Sequence, residues 1–177
     1  IGLVGAKIPS SSDEQFKKAI LTAQDNCFAM GLTTIDDCGL GYKTVEGIKK
    51  LQEAGDLKMR LYVMLSDDKE NYDYASKTGM IKTDRLNVRS FKVYGDGALG
   101  SRGACLLEPY SDKTGHYGFL LSNPSHFDSV ANWIYDKGWQ MCTHAIGDSG
   151  NRTMLNIYAK YLKGMNDRRW RIEHAQV

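Results

Sequence analysis

Ser90-Phe91-Lys92-Val93-Tyr94-Gly95-Asp96-Gly97-Ala98-Leu99-Gly100-Ser101-Arg102 is the stretch on which the reading of this chain turns. Its first half is a β-strand pattern of aromatic and branched residues. A lysine interrupts that pattern, and an ammonium taken out of water loses its hydration. Its second half is a glycine-rich loop. Two later strand patterns also end on one unusual residue each, in Gln140-Met141-Cys142-Thr143-His144 and Arg171-Ile172-Glu173-His174. Three successive strands therefore each deliver one potential ligand at or near the C-terminal end.

The order of elements around this stretch is regular. Ser11 or Ser12 caps a helix with Glu14 or Gln15 three residues on. Phe16, Ile20, Ala23, Cys27 and Met30 give that helix an apolar face, and Gly31 stops it. Leu32–Ile35 reads as a short strand closed by Asp36-Asp37-Cys38-Gly39. Val45, Ile48, Leu51 and Ala54 make the next helical stripe, and Gly55 ends it. Met59–Leu65 is almost continuously apolar, as in a parallel strand covered on both faces. A polar helix falls between Ser66 and Gly79, and Leu86–Tyr94 is the strand that holds Lys92. After a long connection, Gly95 to Asn123, Pro124 opens a helix with Phe127, Val130, Ala131 and Ile134 inward. The strand Trp139–Ala145 follows. The next helix places Leu155, Tyr158, Tyr161 and Leu162 inward, and the strand Trp170–His174 comes last. Alternation of this kind predicts an α/β fold with a parallel sheet, either a closed barrel or an open doubly wound sheet. Residues 1–177 show no linker or composition break and read as one domain.

Composition narrows the function classes. With 42% hydrophobic and 25% charged residues and only 3 prolines, the chain is that of an ordered globular protein. A net charge of +2 predicts no nucleic-acid or membrane-surface partner. The opening run Ile1-Gly2-Leu3-Val4-Gly5-Ala6 is not a complete signal peptide and has no initiator Met. It suggests a piece of a longer chain. Cys27, Cys38, Cys105 and Cys142 form no CxxC pair, so reduced thiols and a cytoplasmic location are expected.

His144 and His174 sit where ligands bind in both candidate architectures. Neutral imidazole suits zinc. Each could also be a hydrogen-bonded core histidine. Lys92 has two readings: an ion pair with Asp96, or a desolvated amine that takes up carbon dioxide to become a carboxylate-like metal ligand. Gly95-Asp96-Gly97-Ala98-Leu99-Gly100 is a literal G-x-G-x-x-G after a strand. A nucleotide-dependent oxidoreductase is nevertheless disfavoured, because Gly103, Pro109 and Gly115 prevent the helix that this motif must open. Asp148 reads as a helix N-cap or as a residue orienting a ligand. Arg102 reads as a contact for a carbonyl or carboxylate, or as half of a loop salt bridge. Cys142 is read as core packing, and His116 and His126 as solvent-exposed.

At these residues the sequence resembles the metal-dependent amidohydrolase superfamily, and within it the branch of N-substituted formamide deformylases. The passages that carry the resemblance are Gly31–Gly39, Phe91–Arg102, Thr143–Asp148 and Arg171–Gln176. The resemblance implies a (β/α)8 TIM barrel of which this chain covers about strands 2–6, as an internal fragment. It implies hydrolysis of an amide or related C–N bond in a small-molecule substrate, with one or two divalent metals, zinc first, activating water. By position Lys92, His144 and His174 are the metal ligands, with Lys92 a candidate for carboxylation. Asp96, Gly97 and Arg102 fall in the substrate loop. The superfamily's first-strand His-x-His has no counterpart here, and neither does its eighth-strand aspartate. The chain is thus expected to be a single incomplete catalytic-barrel domain that contains no catalytic acid or base and is inactive alone. Its open sheet edges predict a homo-oligomer or edge pairing. A non-catalytic α/β binding or structural module is the competing reading.

Overall fold

The computed structural model describes Val4, residues 7–9 and residues 11–177. Apart from Val4, the opening run read above falls outside them. The elements in chain order are α1 (Asp13–Ala29), β1 (Thr34–Leu40), α2 (Tyr42–Glu53), β2 (Arg60–Ser66), α3 (Lys69–Thr78), β3 (Ile81–Lys82), β4 (Leu86–Tyr94), α4 (Pro124–Asp136), β5 (Gln140–Ala145), α5 (Asp148–Tyr161) and β6 (Arg171–His174).

Local chemistry accounts for most boundaries. Ser12 caps α1 in a reciprocal capping box with Gln15. Past the end of α1, Gly31 takes φ +78°, which only glycine adopts without strain. Asp68 caps α3 by accepting from Asn71 N. Pro124 occupies the first turn of α4.

Five strands pair in parallel in the order β1-β2-β4-β5-β6, and the two-residue β3 lies antiparallel on β4. The sheet is curled as a partial barrel. Arg171, on the last strand, reaches within 3.6 Å of Asp36 on the first and packs over the Tyr62 ring between them. The convex face packs against the helices. There Phe91 meets Tyr72, Trp133 and Trp139 at ring-centroid distances of 4.6, 5.4 and 5.2 Å. Val63, Leu65, Val93, Met141, Phe127 and Ile134 complete that fully enclosed core. The concave face is polar, and on it Tyr62 donates to Gln140 at 2.5 Å.

Three local expectations change. The first strand runs Thr34–Leu40 rather than Leu32–Ile35, because Asp36-Asp37-Cys38-Gly39 continues the parallel pairing with β2 through a bulge. The acidic run reads as a terminator in sequence, yet on a concave polar face Asp36 is an ordinary strand residue. Leu155 points outward at 53% exposure, and Met154, Ile157 and Tyr158 face the sheet instead. Gly147, not Asp148, is the N-cap of α5. No helix among the described residues is long and apolar enough to cross a membrane.

Candidate metal centre

Lys92 reaches the concave face because of a break in register. Val63 of β2 pairs with Val88, but the next residue, Met64, pairs with Ser90, so Arg89 is the extra residue of a bulge. Leu86 and Val88 face the helices before the bulge, and Phe91 and Val93 do so after it. Without that extra residue, strand alternation would send Lys92 into the helix-side core. Gly39 borders its stem. A Cβ there would stand 3.5 Å from Lys92 Cγ and 3.2 Å from Ser66 Oγ, at a backbone φ of +130°.

Lys92 is 1% exposed. The ion pair with Asp96, one of its two sequence readings, does not form. Among the described residues the amine has no ion pair within 4.0 Å, and it stands 5.3 Å from the centroid of the Tyr94 ring. Tyr94 is two residues along the same strand and shares its face with Lys92. Its ring also lies 5.6 Å from that of His144. Tyr94 was not singled out in sequence, because an aromatic residue in a strand is ordinary. The i, i+2 spacing from Lys92 is the signal that places it at the site.

His144 pairs in register with Tyr94, so its side chain follows the concave face. Its Nε2 is buried without a hydrogen-bond partner among the described residues. Burial pushes its pKa below the ordinary histidine value, and the nearby His174 and Lys92 act in the same direction. The Gly97 carbonyl and Asp96 oppose the shift. His174 pairs with Ala145, which belongs to the helix-side core. Regular extension would therefore turn His174 away from the site. Its backbone instead adopts φ +81°, and the ring comes to 4.8 Å from that of His144. A left-handed histidine at a strand end is strain retained where geometry matters.

The other sequence-singled residues fall around this point in different ways. Asp96 is fully enclosed. Its oxygens accept from Cys105 N at 2.9 Å and from Ile146 N and Gly147 N at 2.8 Å each. Gly97 packs against Gly103, whose carbonyl it binds at 3.1 Å. Arg102 makes the loop salt bridge, holding Asp112 through two contacts of 2.8 and 3.1 Å at the surface. Asp148 accepts from Leu107 N at 2.9 Å, which ties the long loop to the start of α5. Cys142 is enclosed in the strand, and burial pushes its thiol up to about 11, as core packing implies. His116 binds the Arg102 carbonyl at 2.8 Å, and the exposed His126 pairs with Asp67 at 2.8 Å. No helix follows the glycine motif before Pro124, which removes the structural basis for a dinucleotide site.

Among the described residues, no three His, Cys, Asp or Glu side chains converge on one point. The donors present are two imidazoles in ring contact, one with an unpartnered buried nitrogen, and a lysine amine without a counter-ion. This set fits a borderline divalent cation as a partial shell.

A curled parallel sheet that presents such donors at its strand ends is the architecture of a partial α/β barrel. The chain itself belongs to the amidohydrolase family, whose model matches residues 2–177. It is 26% identical to Protein LONG AFTER FAR-RED 3 of Arabidopsis thaliana, over 98% of this chain and 32% of that protein. Its fold matches an uncharacterized metal-dependent hydrolase from Pyrococcus furiosus with a TM-score of 0.77 and 27% identity, over 90% of this chain and 34% of that one. A second uncharacterized metal-dependent hydrolase, from Pyrococcus horikoshii OT3, matches in fold with a TM-score of 0.75 at 23% identity, over 85% of this chain and 31% of that one. The chain spans about a third of the length of the curated relatives it matches.

Proposed function

We propose that this chain forms part of the catalytic barrel of a metal-dependent hydrolase that cleaves a non-peptide C–N bond, an amide or a related group. Family membership supports hydrolysis, and the N-substituted formamide branch is the finer assignment suggested by the Phe91–Arg102 passage. The observation that carries the proposal is the convergence of Lys92, His144 and His174 at three neighbouring strand ends. Lys92 is buried there without a counter-ion among the described residues, and the two imidazoles lie 4.8 Å apart.

In this reading His144 and His174 hold a zinc ion through their ring nitrogens. Lys92 contributes an oxygen donor after carboxylation of its amine. When bound, the ion supplies Lewis acidity to a substrate carbonyl and lowers the pKa of water. The chain's own residues hold the donors in place and exclude bulk water around Lys92. Gly97 and Arg102 lie on the loop that borders the substrate. No residue of this chain is assigned as catalytic acid or base, so the isolated chain is expected to be inactive.

Elemental analysis of the full-length protein and of Lys92→Ala tests the assignment. The parent is expected to carry a stoichiometric divalent ion, and Lys92→Ala to lose both the ion and hydrolytic activity. Retention of both by Lys92→Ala would overturn the ligand assignment. A metal-free, inactive parent would instead favour the non-catalytic module.

A further inference from the structure

Asp96 occupies a position that neither an ion pair with Lys92 nor a substrate contact explains. We propose that Asp96 is a positioning residue, which fixes the strand end that carries His144 and locks the long loop onto the β5–α5 turn. The part concerning His144 as a ligand rests on the metal-hydrolase reading above.

The geometry is specific. The carboxylate is 0% exposed, so it has no surface to offer a substrate. Oδ1 accepts from Ile146 N at 2.8 Å, and Oδ2 accepts from Gly147 N at 2.8 Å and from Cys105 N at 2.9 Å. One side chain thus ties three segments together: the end of β4, the middle of the long loop and the residues just after β5. A carboxylate has about four lone-pair sites. Three are filled by these amides, and Oδ1 also stands 3.6 Å from the unpartnered Nε2 of His144. The Gly147 amide belongs to the N-terminus of α5, where the helix dipole favours a negative group.

The surrounding backbone is shaped to admit this carboxylate. A Cβ at Gly150 would stand 2.6 Å from Asp96 Oδ2, and one at Gly147 would stand 2.1 Å from the Cys105 carbonyl oxygen. Gly95 N donates to the His144 carbonyl at 2.8 Å, so β4 and β5 are joined on both sides of the histidine. His144 is therefore held through its own carbonyl and through the two amides that follow Ala145. Loss of partners of this kind, which orient a ligating histidine without touching the ion, typically lowers metal affinity or activity by about 10–100-fold.

The test uses the full-length protein and its Asp96→Asn variant, in which an amide NH2 faces backbone donors. Three quantities are compared: Zn2+ affinity by competition with a chromogenic chelator, kcat and KM, and deuterium uptake of peptides spanning Asp96–Gly118 and Ala145–Gly150. The expected result is a folded variant with Zn2+ affinity lowered roughly 10–100-fold. In addition, kcat should fall more than KM changes, and uptake should rise in both peptides. Parental affinity and kcat with a raised KM would make Asp96 a substrate contact and overturn the proposal. Unchanged uptake in both peptides would overturn the locking role. A lowered melting temperature with unchanged affinity and kcat of the folded fraction would reduce Asp96 to a structural residue. If Asp96→Asn does not fold, Gly150→Ala displaces the carboxylate without removing it, and the same three readings decide. If the parent binds no Zn2+, the metal reading fails by itself, and the deuterium uptake still judges the lock.

Discussion

At the scale of single residues, Lys92 shows a conflict between stability and function. An amine with 1% exposure and no ion pair among the described residues is a cost to the fold. Replacing such a group by an apolar one of similar length generally stabilises. In the chelator-treated full-length protein, Lys92→Met is therefore expected to raise stability by about 1–3 kcal/mol, while the same variant loses its bound metal. Urea unfolding of the metal-free proteins checks the first part, and a destabilised Lys92→Met would show that the amine has a favourable partner. The donors themselves were legible in the sequence because each is out of place: a lysine in an apolar strand, and a histidine at each of two strand ends. Their arrangement was not. The bulge that turns Lys92 inward leaves one mark, the three-residue step from Val88 to Phe91 where alternation takes two, but that step alone does not tell which residue is the extra one or which face is buried. The φ of +81° that turns His174 toward His144 also has no sequence mark, because no glycine or asparagine stands there.

At the scale of elements, the helices were readable because capping chemistry and three-to-four spacing agree, as at Ser12–Gln15 and Pro124. The strand β1 was read too short, because its residues Asp36 and Cys38 face a concave polar surface rather than a core. The long loop stands out by length and glycine content, but which glycines are essential depends on contacts distant in sequence. Gly118 adopts φ +68°, and a Cβ there would stand 1.9 Å from the Ala104 carbonyl oxygen. At Gly100 nothing lies within 4 Å, and φ is not in the left-handed range. Gly118→Ala should therefore cost about 2 kcal/mol or more and loosen the loop. Gly100→Ala should be neutral or stabilise by about 0.4–1 kcal/mol. Chemical denaturation of both variants checks the contrast, and equal effects would mean that the loop backbone is not held by the Gly118–Ala104 approach.

At the scale of the whole molecule, the curl of the sheet brings Arg171 of the last strand to Asp36 of the first, yet the two strands do not pair. Among the described residues, β1 and β6 each pair with a strand on one side only. On the β1 side, α1 covers the sheet incompletely. A cleft of about 420 Å³ opens between them, lined by Phe16, Ile20, Cys27, Ile35, Leu57 and Leu61 among others. Burial in this cleft pushes the Asp37 carboxyl above its ordinary range. A free parallel edge beside an apolar cleft is a template for another chain. The β6 edge is shorter, at four residues, and carries the Arg171–Glu173 pair on its concave side. The 177-residue chain in isolation is accordingly expected to self-associate through the β1 side. Light scattering across a concentration series should show a mass above that of the monomer. Ile35→Lys, which sets a charge in the cleft wall, should shift the distribution toward the monomer several-fold. A monodisperse monomer at every concentration would mean that α1 closes over the cleft in solution and that β1 is shielded by its own chain.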